Sequence, residues 1–321
     1  MKAVVTTGYG PAEKFTVADV PVPRPGPGQI QVRIAAAALN PVDLKLAAGD
    51  MQAMVALAFP HVLGNDFAGT VTEVGPGVTT YEVGDEIFGH AMPRALRPIA
   101  GQGRPSLGTG TLAEFAVVEA DTPFIARRPP TLSAVEAAAL GTAGLTARAL
   151  AFTAAIQPGE VVLVVGATGG VGTALIPLLR NAAHVVATAH PADADLLRKL
   201  GADEVVGYAE SSYPSGVDVA LNLALPSDQL AGVARALRSG GRLYTITFPV
   251  PRQEWVGRDD VSVQLVLDTE GELGGMQEVA DLAVDGELVA TVSRTYSLEE
   301  GPQAYVDLAN RHTVGKLVVL P

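Results

Sequence analysis

One stretch constrains this chain more than any other: Val161-Val-Leu-Val-Val-Gly166-Ala-Thr168-Gly169-Gly170-Val171-Gly172, followed by an Ala/Leu-rich segment and then His184-Val-Val-Ala-Thr-Ala189. Five consecutive β-branched or leucine side chains suit a parallel strand buried on both faces. The glycines that follow permit a tight turn and let backbone N–H groups approach a pyrophosphate at a helix N-terminus. The pattern therefore reads as strand, glycine turn, helix and strand. Its placement between a strand and a helix gives weight to an otherwise weak motif. The same residues would also build a βα turn that holds no ligand.

At 321 residues the chain exceeds what one core usually supports, so two domains are expected. A net charge of −12 argues against a nucleic-acid partner, because phosphate binding needs a basic face. With no cysteine there can be no disulfide, thiolate metal ligand or cysteine nucleophile. The opening Met1-Lys-Ala-Val-Val-Thr-Thr-Gly lacks the cationic and apolar segments of a signal peptide. No apolar run approaches the ~18–20 residues of a membrane helix, and a cytoplasmic location without membrane contact is expected.

The first 120 residues carry short strand patterns with frequent Gly and Pro, at 2–6, 29–36, 68–74, 86–88 and 112–118. This half is expected to form an antiparallel, partly closed β structure. From Ser133 the texture changes, with a helix over 134–155 leading into Pro158-Gly159-Glu160 and the glycine-loop strand. Helices at 171–180, 193–200 and 227–237 then alternate with strands at 184–189, 205–206, 217–223 and 243–247. Such alternation implies a parallel sheet with right-handed crossovers. Residues 261–267 extend that sheet, 274–284 form a helix, and 289–320 return to strand–helix–strand. The expected fold class is α/β: a β-rich domain over 1–121 and 268–321, wrapped around a doubly wound domain over 122–267.

The ordered fragments resemble the zinc-independent quinone oxidoreductase branch of the medium-chain dehydrogenase/reductases, the group that includes zeta-crystallin. They are Asn40-Pro41-Val-Asp43, Gly64-Asn-Asp66-Phe-Ala-Gly69, Val83-Gly-Asp85-Glu-Ile-Phe-Gly89, Gly110-Thr-Leu-Ala-Glu114-Phe, Ala137-Ala-Ala-Leu and Gly141-Thr142-Ala-Gly-Leu-Thr146-Ala. After the glycine loop come Leu200-Gly-Ala-Asp203, Gly240-Gly-Arg242 and Gly315-Lys316-Leu-Val-Val. The resemblance implies a GroES-like catalytic domain built by both chain ends, a Rossmann domain for the cofactor, and an active site in the cleft they form. It also implies a homodimer joined through an edge strand of the cofactor domain, for which 261–267 is apolar enough.

Zinc-dependent members of the wider family bind their metal through a Cys or Asp, a His within a Gly-His-Glu element, and a later Cys or His. The matching element here is Gly64-Asn65-Asp66, with asparagine at the ligand position. His61, His90, His184, His190 and His312 lack ligand spacing and read as surface or packing histidines. A metal-free site is expected, with carbonyl polarisation coming from hydrogen-bond donors.

NAD-selective Rossmann domains place a carboxylate at the end of the second strand, where it bonds the ribose. Here that strand ends Thr188-Ala189-His190, which permits the 2′-phosphate of NADPH and makes NADH the lesser choice. NADPH-dependent relatives often carry a Ser and a Lys where this chain has Ala189 and Asp193. Asp193 either caps the next helix or grips the ribose. His190, Arg198 or Lys199 can reach the phosphate, and Tyr208 matches a tyrosine near the adenosine.

By resemblance, Asn40, Asp43 and Lys45 face the nicotinamide end. Asn40 would orient the carboxamide or the acceptor carbonyl, and Asp43 is expected to be a structural acceptor more than a base. Lys45 would donate to a developing enolate, or is simply a solvated turn residue. Asp66 is expected to bond backbone or groups around Asn40. Thr142 matches a residue that contacts the nicotinamide in relatives, and Thr247 and Phe248, ending a cofactor-domain strand, are expected beside it because α/β ligands bind outside the C-terminal strand ends. Leu223 and Lys316, with Gly166, Thr168, Gly169, Gly170 and Val171 of the glycine turn, complete the expected cofactor contacts. The implied reaction is hydride transfer from NADPH to a quinone or α,β-unsaturated carbonyl. An enoyl-thioester reductase of fatty-acid or polyketide assembly, and a low-turnover NADPH-binding redox sensor, are the alternatives. Residues 91–110 hold Arg94, Arg97 and Arg104 with no acidic side chain, which suits a lid, an acidic substrate or a plain surface loop.

Overall fold

The computed structural model describes residues 1–53, 56–91 and 110–321, so Arg94, Arg97 and Arg104 lie outside the described residues. The chain divides into two compact units: 1–142 with 269–284 and 292–321, and 143–268 with 285–291.

In the first unit β1 (Lys2–Thr6) pairs antiparallel with β2 (Thr16–Asp19). The ten-residue β3 (Gln29–Ala38) follows, nearly continuous in its burial because other elements cover it. Pro41 opens α1 (Pro41–Ala48), where a proline costs nothing because the first N–H has no helical partner. The short β4 (His61–Val62) joins β1. Then come β5 (Asp66–Val74), β6 (Glu86–His90), β7 (Phe115–Glu119) and β8 (Ile125–Arg127). Strands β5 and β7 both flank β3, while β6 lies between β5 and β8. Helix α2 (Ala134–Ala139), capped by Ser133 and Glu136, packs on β3 and β5.

Two expectations change here. The helix expected over 134–155 is two helices, with α3 (Gly141–Ala154) starting after a break at Leu140. The partition also falls after Thr142 and not after residue 121, because β8 pairs with β6 and α2 packs on the same sheet.

The second unit alternates strand and helix. Its elements are β9 (Glu160–Val165), α4 (Gly170–Leu179), β10 (Ala183–Thr188), α5 (Ala194–Leu200) and β11 (Glu204–Val206). They continue with β12 (Val217–Asn222), α6 (Ala231–Ala236), β13 (Leu237–Thr245), α7 (Gln253–Val256) and β14 (Ser262–Leu265). All six strands are parallel, in the order β11-β10-β9-β12-β13-β14. That order reverses direction at β9 and β12, the switch point of a doubly wound sheet. Val162, Leu163 and Val164 are fully buried, each worth about 1.5–3 kcal/mol of transfer free energy. The strand expected over 243–247 begins earlier, at Leu237, and ends at Thr245, which leaves Thr247 in the following loop.

The chain then returns to the first unit with α8 (Met276–Val284), β15 (Val292–Ser297), α9 (Gly301–Asn310) and β16 (Lys316–Leu320). Strand β16 runs parallel to β15 and antiparallel to the end of β3, pairing Val318 with Ala38. The core of this unit gathers Ile30, Val32, Phe67, Ile87, Leu112 and Tyr305.

Candidate active site

Sheet register brings a group of polar residues to one end of the first unit. Ala38 pairs with Asp66, Asp66 with His90, and Val318 with Ala38. Asn40, the first residue of β5, the last of β6 and the first of β16 are thereby neighbours. Asp66 is wholly buried and accepts from Asn40 Nδ2 at 2.8 Å and Thr142 Oγ1 at 2.7 Å. Its Oδ1 also lies 2.8 Å from His90 Nδ1, and its Oδ2 lies 3.5 Å from Lys316 Nζ. Lys316, itself buried, donates to the Leu39 carbonyl at 2.7 Å and to Asn40 Oδ1 at 2.6 Å. A buried charge needs this density of partners, since an uncompensated one costs several kcal/mol.

A second buried carboxylate adjoins the first. Asp43 accepts from the Asn40 N–H at 2.9 Å, which ties it to the start of α1, and from Tyr305 Oη at 3.0 Å. Asn65 Nδ2 donates to its other oxygen at 3.2 Å. The two acids are driven apart. Burial, with the Asp66 charge nearby, pushes Asp43 up to about 6 against the hydrogen bonds from Asn40 and Tyr305. Burial would raise Asp66 as well, but the Lys316 charge, then His90 and Asn40, outweigh it and hold that carboxyl at about 2. Burial and the Asp43 charge push the Tyr305 hydroxyl well above its ordinary range. Gly141 is required here, because a Cβ on it would sit 2.6 Å from Asp66 Cγ.

In the second unit the glycine turn follows β9 directly. Gly166 takes φ +86°, a left-handed value that other residues adopt at a cost, and its N–H donates to Thr188 Oγ1 at 3.1 Å. A Cβ on Gly172 would meet the Ala167 carbonyl at 2.5 Å, so only glycine lets α4 close on the turn. Gly169 precedes the helix, and Gly170 and Val171 begin it, leaving first-turn N–H groups without helical partners. These residues fit the pyrophosphate of a dinucleotide. Across the switch point the Leu223 N–H donates to the Val165 carbonyl. Beside it, buried Asn222 bonds Thr245 Oγ1, Thr247 Oγ1 and the Leu225 carbonyl. Ser227 Oγ donates to the Thr247 carbonyl at 2.6 Å. The sequence signal for this network is a lone asparagine ending an apolar strand.

The other expected residues are more dispersed. Lys45 is exposed on α1, while Asn40 and Asp43 are buried in the polar cluster. Thr168 and Ala189 are buried; Tyr208 and Phe248 are exposed. His190 is exposed, and its Nδ1 accepts the Ala192 N–H. Asp193 stands immediately before α5, but its side chain makes no capping bond. His90, Asn65, Tyr305 and Asn222 were not singled out as site residues by sequence.

This pairing of architectures defines a class of dehydrogenase. Residues 26–128 match the alcohol dehydrogenase GroES-like domain, and 200–319 match the zinc-binding dehydrogenase domain. The chain is 31% identical to quinone-oxidoreductase QR1 of Triphysaria versicolor, over all of this chain and 98% of that protein. It is 29% identical to the NADPH-dependent alkenal/one oxidoreductase of Arabidopsis thaliana, over all of this chain and 80% of that protein. The solved quinone oxidoreductase from Coxiella burnetii superposes with a TM-score of 0.81 at 28% identity, covering 100% of this chain and 99% of the other. The chain belongs to the medium-chain dehydrogenase/reductase family, in its quinone oxidoreductase branch.

Zinc does not fit the donors present. Asn65 stands at the histidine position and uses its amide N–H on Asp43. Asp66 is already surrounded by donors that include an ammonium group, which a dication would have to displace. Among the described residues no three His, Cys, Asp or Glu side chains are grouped to hold an ion.

Proposed function

We propose that the protein is an NADPH-dependent reductase that works without zinc on a quinone or the β-carbon of an α,β-unsaturated carbonyl. The observation that carries this reading is the Gly166–Gly172 turn at the switch point of an all-parallel sheet. The end-to-end similarity to an NADPH-dependent alkenal/one oxidoreductase supports it. So does the sequence Ala189-His190 directly after β10, with no carboxylate to repel a 2′-phosphate.

Bound NADPH supplies the hydride. The chain's part is to hold and orient. Backbone N–H groups at the start of α4 receive the pyrophosphate, and His190 with Tyr208 receives the adenosine end. Asn222 and Ser227 fix the loop that carries Thr247 and Phe248. The buried Asn40–Asp66–Lys316 group locks the end of β3 to β5 and β16, so this polar end of the unit reorganises little when charge develops nearby. The catalytic unit is read as the GroES-like domain and the cofactor unit as the Rossmann domain. A homodimer is read through β14, which lies at the edge of the parallel sheet, and a cytoplasmic location is part of the same reading. No helix among the described residues is long and apolar enough to cross a membrane.

Oxidation of NADPH and NADH, followed by nicotinamide absorbance, tests the reading. The panel is 1,4-benzoquinone, 9,10-phenanthrenequinone, a 2-enone and a crotonyl thioester, with and without a zinc chelator. Turnover with NADPH and a quinone or enone, indifferent to chelator, is expected. Binding of NADPH without turnover on any acceptor would overturn it in favour of a sensor.

A further inference from the structure

His90 has the geometry of a prepared proton donor. Its Nδ1 lies 2.8 Å from Asp66 Oδ1 and 3.0 Å from Thr142 Oγ1. Asp66 is wholly buried and held ionised chiefly by the Lys316 charge, so it can only accept. Thr142 gives its single hydroxyl proton to that carboxylate at 2.7 Å. Nδ1 must therefore carry hydrogen, and the ring is fixed in one orientation by two partners from β5 and α3. Nε2 makes no hydrogen bond among the described residues, and the side chain keeps 13% of its surface exposed. A histidine pinned at one nitrogen by a buried carboxylate, with the other presented outward, is the arrangement by which proteins set up an imidazole for proton transfer. A histidine serving only to fill the core would bury both nitrogens or leave both hydrated.

We propose that His90 is a catalytic residue of this protein, delivering the proton from Nε2 to the oxygen of the reduced acceptor. The proposal rests on the reductase reading given above. NADPH, when bound, would supply the hydride that forms a C–H bond at the β-carbon of an enone. The C=C π pair shifts toward the carbonyl, whose π pair moves onto oxygen. An O–H bond then forms as the Nε2–H bond breaks, giving the enol. His90 is left neutral with Nδ1–H still on Asp66, and water restores the proton. For a quinone the same transfer yields the hydroquinone. Asp66 and Thr142 act through His90 and are positioning residues.

Two measurements test this. Long-range proton–nitrogen NMR correlations on the imidazoles of the intact protein, assigned with His90→Gln, read the tautomer without any turnover. Nδ1–H with a bare Nε2 in the neutral ring is expected, and the opposite tautomer overturns the proposal. In the activity arm, wild type is assayed first with NADPH and a 2-enone. Then His90→Gln is expected to lose about 10²-fold or more in kcat, with its Kd for NADPH unchanged by nicotinamide fluorescence. His90→Ala is expected to regain activity on addition of imidazole. Wild-type turnover with variants within twofold of it overturns the role of His90 and leaves the reductase reading standing. No wild-type turnover with any acceptor overturns both.

Discussion

Lys316 Nζ lies 3.5 Å from Asp66 Oδ2 although the two residues are 250 positions apart, and both side chains are almost entirely removed from water. The pair forms the electrostatic centre of the first unit, because each buried charge is there on condition of the other. Replacing Lys316 by Met keeps the volume and removes the charge. The expected loss is about 3–5 kcal/mol, the cost of stranding a buried carboxylate. Adding Asp66→Asn to the same chain is expected to recover part of it. Urea midpoints for the two single variants and the double variant check this, and simple additivity would show that the pair is not coupled.

Asp43 gives the fold a pH dependence of opposite sign to most acids. Its carboxyl sits at about 6 in the folded protein against 3.8 as the ordinary value. The folded state therefore binds the extra proton, and the contribution is fully present below 3.8 and lost as pH rises through about 6. The amount lost is at most about 3 kcal/mol, from roughly two pKa units at 1.36 kcal/mol each. Asp43→Asn does not titrate. The stability of wild type relative to that variant, measured by urea unfolding, should fall between pH 4 and 7. A constant or rising difference would sink the prediction.

Gly141→Ala places a methyl group against a side chain that cannot retreat. Ala is worth up to about 1 kcal/mol more than Gly in a helix, but overpacking a buried site costs about 1–3 kcal/mol. With Asp66 Cγ only 2.6 Å from the new atom, a net loss of Tm is expected. A more stable variant would show that Asp66 can move aside.

Ala189→Asp puts a carboxylate directly after β10, next to the expected seat of the 2′-phosphate. The Kd for NADPH should rise about tenfold or more, a cost of at least ~1.4 kcal/mol, with NADH affected much less. Fluorescence titration with each dinucleotide reads this directly. Equal weakening of both would place the 2′-phosphate elsewhere.

How much of this was legible depends on where each signal resides. The parallel sheet is written locally: Val161–Val165 is an apolar run, and Gly166 to Gly172 follow it in fixed order. The short strands β2, β4 and β8 carry no such run, since two to four residues cannot show a period. The strand expected over 243–247 lies beyond Gly240 and Gly241. In fact they lie within a strand whose pairing with β12 slips between Val217 and Val219. The site is less legible for a different reason. Asn40, Asp43, Thr142 and Lys316 sit in recognisable fragments, whereas His90 ends an ordinary strand and meets its partners 24 and 52 residues away. Asp43 and Asp66 do offer one physical clue, as acids set within apolar strands and helices that can be buried only with donors supplied from afar.

The same long connection bears on how the chain is made. A ribosome delivers Asp66 long before Lys316, and at about 5–20 residues per second the interval is on the order of tens of seconds. Throughout that time Asp66 lacks its lysine partner and has only His90 to offer a charge, so the end of the sheet where β3, β5 and β6 meet cannot close as it does in the finished fold. Most of the second unit, 143–268, emerges in the interval as one uninterrupted segment and is free to condense first. The nascent protein thus passes through a stage at which every strand of its parallel sheet has been made while its first unit still lacks β15 and β16. That stage exposes the apolar core of β3 and β5 to chaperones and to neighbouring chains until the last strand arrives.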